Sequence, residues 1–157
     1  MKNKTFAVWL TLLTGPLGLH RLYLHRRYGI AGWLVLGLSV LGSYGVLRAR
    51  QWGQDDLLSW LLIPMLGFAL AGCTLQAIVY GLTDTEKWNQ RFNPGLPLDA
   101  PAGQTQWLTV AGLVVSLFLG TTVLMASIAF SFQRYFEYQM EPTPGSTRPP
   151  AKQAAPA

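Results

Sequence analysis

His20, Arg21, His25, Arg26 and Arg27 fall within eight residues of one another, interleaved with Tyr23 and followed by Tyr28. Imidazoles carry protons and ligate metals, and guanidinium forks pair with phosphate oxygens. A metal or haem site needs more donors than this stretch holds. The two histidines are five apart, the chain has no third, and no Asp or Glu lies between Met1 and Asp55. No metal or other cofactor is therefore expected. Acid–base catalysis would pair a histidine with Asp55, Asp56 or Asp84. A helical hairpin puts Asp55 and Asp56 on the face opposite the histidines, and Asp84 belongs to no motif, so a non-catalytic protein is expected. What remains is recognition of a lipid phosphate or a membrane partner by His20, Arg21, Tyr23, His25, Arg26, Arg27 and Tyr28. The plainer alternative is that the same residues only anchor a turn at headgroup depth.

The elements that must position these residues are apolar. Of 157 residues 50% are hydrophobic and only 12% charged, about half the charge of an ordinary soluble domain. The single cysteine, Cys73, excludes a disulfide scaffold and a cysteine-based zinc site. Trp107 to Phe132 and Leu57 to Leu82 contain no Asp, Glu, Lys, Arg or His, and a charge near a helix centre costs about 2.5 to 3.5 kcal/mol on insertion. Both should cross a bilayer. Gly29 to Leu47 has about the minimum length for a third crossing. Thr5 to Leu19 reaches only about 22 Å at the helical rise, so it must continue to Leu24, bent at Pro16, with Arg21 snorkelling.

These runs predict an all-α integral membrane protein with four transmembrane helices, the first two forming a tight antiparallel hairpin. Residues 1–48 are the hairpin, with spans at about 5–24 and 29–47, and residues 49–56 a short loop. The third span is 57–82, kinked at Pro64, and the fourth span with its emerging helix is 107–138. The connection 83–106 reads equally as a polar loop or as a short interfacial helix. Its signals are a Thr83 to Glu86 capping box and Trp88 and Phe92 on one face. Residues 139–157, rich in Pro and Ala, read as a disordered tail.

Small residues suggest how the helices meet. Gly18 should face Gly29 or Gly32 across the hairpin, Gly15 is a further packing residue, and Gly112, Ser116 and Gly120 form a stripe on the last span. Such stripes let backbones approach, within one chain or between copies. Gln76, the one amide in its span, should hydrogen bond to a neighbouring helix. Cys73 should be a buried, inert small residue.

Gly15, Gly18, His20, Arg21, Tyr23 and Leu24 together resemble the hairpin motif of the TM2 domain family, G-x-x-G-x-H-R-F-Y-L-G, with Leu22 and His25 departing from it. The resemblance covers roughly the first third of the chain. It implies a multi-pass membrane protein of no settled biochemical activity, and for animal members a link to signalling.

With four spans, both termini share a side, and the positive charges near the spans tie: Lys2, Lys4, Arg48, Arg50 and Arg134 against Arg21, Arg26, Arg27, Lys87 and Arg91. The positive-inside rule then gives no orientation. Lys2 and Lys4 before Phe6 to Leu13 resemble a signal peptide, but no small-x-small cleavage site follows. Net charge +5 and a pI near 9.7 come without a basic stripe or nucleic-acid motif. The expected partners are anionic headgroups, a membrane protein or a second copy, in a bacterial inner membrane. A small oligomeric channel or transporter is the alternative, weakened by how few polar groups the spans offer.

Overall fold

A computed structural model describes residues 1–25, 29–53 and 56–140, apart from the side chain of Tyr138. Arg26, Arg27, Tyr28, Asp55 and the expected tail beyond Met140 lie outside the described residues. The described chain is entirely helical between its turns: α1 (Lys4–Thr14), α2 (Leu19–His25), α3 (Ile30–Trp52), α4 (Leu57–Leu82), α5 (Thr85–Phe92) and α6 (Trp107–Met140). Tight 3-10 turns occupy Gly15–Leu17 and Pro101–Gly103. Among the described residues three helical segments, Ile30–Trp52, Leu57–Leu82 and Pro101–Glu137, are long and apolar enough to cross a membrane.

The first apolar run departs from the expected single bent helix. Pro16 enters the 3-10 turn at its start, where its missing N–H costs nothing. Gly18 then takes φ 70°, the left-handed conformation that only glycine adopts readily. That residue reverses the chain. α2 returns alongside α1: the Phe6 and Tyr23 rings meet edge to face at 5.1 Å, the Asn3 N–H donates to Tyr23 Oη at 3.1 Å, and Lys2 Nζ donates to the Leu24 carbonyl. The hairpin thus closes within residues 4–25, and neither helix reaches the length of a crossing.

Small residues bring the long helices together. A Cβ on Gly15 would lie 2.5 Å from Cys73 Cβ, so the turn at the hairpin tip presses against the middle of α4. A Cβ on Gly45 would lie 2.6 Å from Leu62 Cβ, and one on Gly42 would collide with Leu66. α3 and α4 are therefore antiparallel at backbone-limited distance. On the other side of α4, Gly67 abuts Ser127, Thr74 abuts Gly120, and a Cβ on Gly81 would come within 2.6 Å of Leu113. Pro64 is accommodated inside α4, which runs unbroken from Leu57 to Leu82.

These registers fix the ends of the bundle. The starts of α1, α3 and α6 and the end of α4 share one end, together with α5; the end of α3, the start of α4 and the end of α6 share the other. The amino terminus and Met140 therefore lie at opposite ends, not the same end as four spans would require.

Candidate functional site

The end that holds the amino terminus is built around α5, which docks with an aromatic face inward. Trp88 is fully buried and Phe92 nearly so, their rings 4.5 Å apart. Tyr80 from α4 meets both edge to face, at 6.2 and 6.3 Å. His25 closes the cluster against Phe92 at 5.9 Å. The capping box does not form: Asp84 is the N-cap residue, and the Thr83 hydroxyl donates back to the Val79 carbonyl at 2.7 Å. The Thr83 carbonyl instead accepts from Lys4 Nζ at 2.6 Å. An ammonium at the carboxyl end of α4 suits the helix dipole there.

Lys4 itself is fully buried, and its second bond goes to Thr105 Oγ1 at 2.8 Å. Burial lowers its pKa, opposed by the nearby Asp84 carboxylate. Beside it, three groups grip Lys2. Its N–H donates to Asn93 Oδ1 at 2.6 Å, and its carbonyl accepts from Trp88 Nε1 at 3.0 Å and Asn93 Nδ2 at 3.1 Å. Asn89, buried below, donates to the Leu98 and Ala100 carbonyls at 2.9 and 3.0 Å and so fixes the loop to α5. Sequence reasoning placed Trp88 and Phe92 on one face but missed Lys4, Asn89 and Asn93. The polar spacing Asn89, Asn93 beside two aromatics is the signal that could have found them.

The structure separates the predicted recognition residues. His20 is 0% exposed, and its Nε2 lies 2.9 Å from Gln76 Oε1, the interhelical bond expected of Gln76. Because Oε1 only accepts, Nε2 carries the proton, and Nδ1 is buried without a partner. Arg21 is half-buried, with its Nε buried and unpartnered among the described residues. Tyr23 and His25 serve the hairpin and the aromatic cluster. The imidazole of His25 is held below its ordinary pKa by burial, then by the positive charges of Arg91, Lys2 and Arg21. Among the described residues no three His, Cys, Asp or Glu converge on one point.

The predicted packing residues also divide. Gly15 meets α4 rather than α3, and Gly18 is the turn itself. Nothing lies within 4 Å of a Cβ on Gly29, which therefore packs against no described neighbour, whereas Gly32 is buried. Gly112 faces Val8 and Trp9 of α1, Gly120 faces Thr74 of α4, and Ser116 between them is fully buried.

At the opposite end, Arg48 Nε and Nη2 grip Asp56 at 2.6 and 3.0 Å, and Asp56 caps α4 by accepting from the Ser59 N–H at 2.9 Å. The Arg48 guanidinium, and then Ser59, hold the Asp56 carboxyl well below the usual carboxylate range. Arg134 pairs with Glu137 at 2.8 Å.

Comparison of the chain with protein-family models, with curated proteins and with solved structures finds no match. Its function has to be argued from its own residues.

Proposed function

We propose that this chain is a non-catalytic integral membrane protein that crosses the bilayer three times, carries α1 and α2 as a re-entrant hairpin, and binds anionic phospholipid headgroups at its amino-terminal end. The single observation that carries the reading is Arg21, a guanidinium partly drawn into the bundle with a buried Nε and no carboxylate partner among the described residues. An uncompensated buried cation is costly, and a lipid phosphate supplies both the charge and the acceptors. Gly15 at the hairpin tip abuts Cys73, nine residues from the end of α4, or roughly 14 Å. The tip then sits near the middle of a core about 30 Å thick.

The fold-back also breaks the tie in charge. Among the described residues Lys2, Lys4, Arg21, Lys87 and Arg91 make five near the spans at this end, against Arg48, Arg50 and Arg134. The positive-inside rule then orients this end to the cytoplasm. The TM2 kinship of Gly15, Gly18, His20, Arg21, Tyr23 and Leu24, and a bacterial inner membrane as its place, belong to the same proposal.

The test is binding to phosphatidylglycerol and phosphatidylcholine in mixed micelles. Wild type should prefer phosphatidylglycerol, and Arg21→Gln should lose about tenfold of that preference, as for one charge-assisted hydrogen bond. Equal binding of both lipids by wild type would overturn the reading. A second reading, a small channel or transporter, is favoured by one feature: Gly15 to Gly18 is non-helical backbone at membrane depth, which occurs where protein covers it or a polar path passes. Ion flux in proteoliposomes, abolished by Gly15→Leu, would establish that reading; absence of flux would remove it.

A further inference from the structure

We infer that the groove between α4 and α6 is the seat of one acyl chain of a diacyl anionic phospholipid, with Ser116 holding its ester carbonyl. The inference rests on the anionic-lipid reading above and adds to it a seat for an acyl chain. The groove encloses about 310 Å³ and is lined by Phe68, Gly72, Leu75, Ser116, Gly120 and Thr121, among others. Its floor is made shallow by glycine: a Cβ on Gly72 would meet nothing within 4 Å. The hydroxyls along it are spoken for, with one exception. Thr74 donates to the Ala71 carbonyl at 2.8 Å and Thr121 to Leu117 and Phe118 at 2.8 and 3.1 Å. Ser116, 0% exposed, has no partner for Oγ among the described residues. A buried hydroxyl left unpaired is destabilising, and an occupant that brings an acceptor relieves it.

Depth selects the occupant. α4 has 26 residues, about 39 Å at the helical rise, so centred on a core of about 30 Å it overhangs by roughly 4 to 5 Å at each end. Gly81 against Leu113 and Gly120 against Thr74 put Ser116 level with Ile78, four residues or about 6 Å from the end of α4. That is the boundary where ester carbonyls sit. The groove runs from there to Phe68 and Leu124, ten residues of α4 or roughly 15 Å, which is half the core and the reach of one leaflet. Charge complements the same end: Lys2, Lys4, Arg21, Lys87 and Arg91 outnumber Asp84, Glu86 and Asp99 by two among the described residues. An anionic headgroup is drawn to this end.

Native mass spectrometry of the full chain with added dioleoyl phosphatidylglycerol tests this, comparing wild type with Gly72→Phe, Gly72→Leu and Ser116→Ala. The Gly72 variants project into open space, so they fill the groove without disturbing the bundle. They should lower retention of one lipid at least tenfold, and Ser116→Ala about two- to tenfold, the worth of a neutral hydrogen bond. Retention unchanged in both Gly72 variants would overturn the groove and leave the headgroup reading standing. A wild type that retains no phosphatidylglycerol would overturn both. Dissociation of an oligomer by Gly72→Phe would show that a protein helix occupies the groove, and would also overturn the inference.

Discussion

The two ends of the bundle differ in how they handle part of their positive charge. At the far end two of the three cations near the spans are matched locally: Arg48 closes on Asp56, eight residues away, and Arg134 on Glu137. At the amino-terminal end Lys87 is matched by Asp84 at 3.0 Å, but Lys2 and Lys4 spend their ammonium groups on the Leu24 and Thr83 carbonyls. Carbonyls satisfy hydrogen bonds but leave net charge uncancelled. Arg21 has no pairing carboxylate among the described residues, and Arg91 lies over the Phe92 ring, 5.5 Å from its centre. The difference teaches that a helical bundle can use lysine as structural glue while keeping the positive field that faces outward. The same bonds hold the hairpin shut, so the polarity of the molecule and the fold-back of its first run stand or fall together.

The contrast can be broken most severely at Trp88. Trp88→Ala empties the centre of the aromatic cluster and removes the bond to Lys2, and should cost about 3–5 kcal/mol. The expected outcome is an amino terminus open to protease, with the far end still protected; equal loss at both ends would deny that the ends are independent. Gly15→Leu drives a side chain into Cys73, an overpacking worth about 1–3 kcal/mol, and should make Cys73 reactive to maleimide. Gly18→Ala imposes the left-handed penalty of about 1–2 kcal/mol on the turn, read as a lower unfolding temperature.

Acid sharpens the contrast with the smallest effects. His25 has a lowered folded-state pKa, so below about pH 6.5 an opened hairpin takes up the proton before a closed one does. Closure should therefore weaken as pH falls through that range, visible as lower hydrogen-exchange protection in α1 and α2 once the intrinsic pH dependence of exchange is divided out. Asp56 is also lowered, so its contribution is present above about pH 4 and is lost only in stronger acid. Protection at the start of α4 should accordingly stay constant down to pH 5. His25→Gln should remove the first change and leave the second.

Hydropathy made the long helices legible because burial in lipid depends on composition alone. Leu57–Leu82 and the Trp107 start of α6 follow from where uncharged residues begin and end. The first run was not legible in this way: Thr5 to Leu24 has enough apolar residues to cross, and hydropathy carries no sense of direction. Direction is set by one dihedral at Gly18 and by the close approach of Gly15 to Cys73, contacts between residues 58 positions apart. The motif Gly-Pro-Leu-Gly carried the signal, as a turn rather than a kink. The tied charges had the same origin, since moving α2 back across the bundle carries Lys2 and Lys4 to the side of Lys87 and Arg91. At the candidate site, Trp88 and Phe92 were readable from their spacing, whereas the grip on Lys2 needs a chain reversal that no local pattern encodes.

The most direct test of the account is the sidedness of three positions in intact membranes, with Cys73→Ala removing the native thiol. A cysteine tag ahead of Met1, Lys87→Cys and Gln139→Cys would each be challenged with a membrane-impermeant maleimide from one side. The account predicts that the amino-terminal tag and Lys87→Cys label from the same side and Gln139→Cys from the other. Labelling of the tag together with Gln139→Cys, and of Lys87→Cys from the opposite side, would mean that the first run crosses the membrane, and would contradict the account.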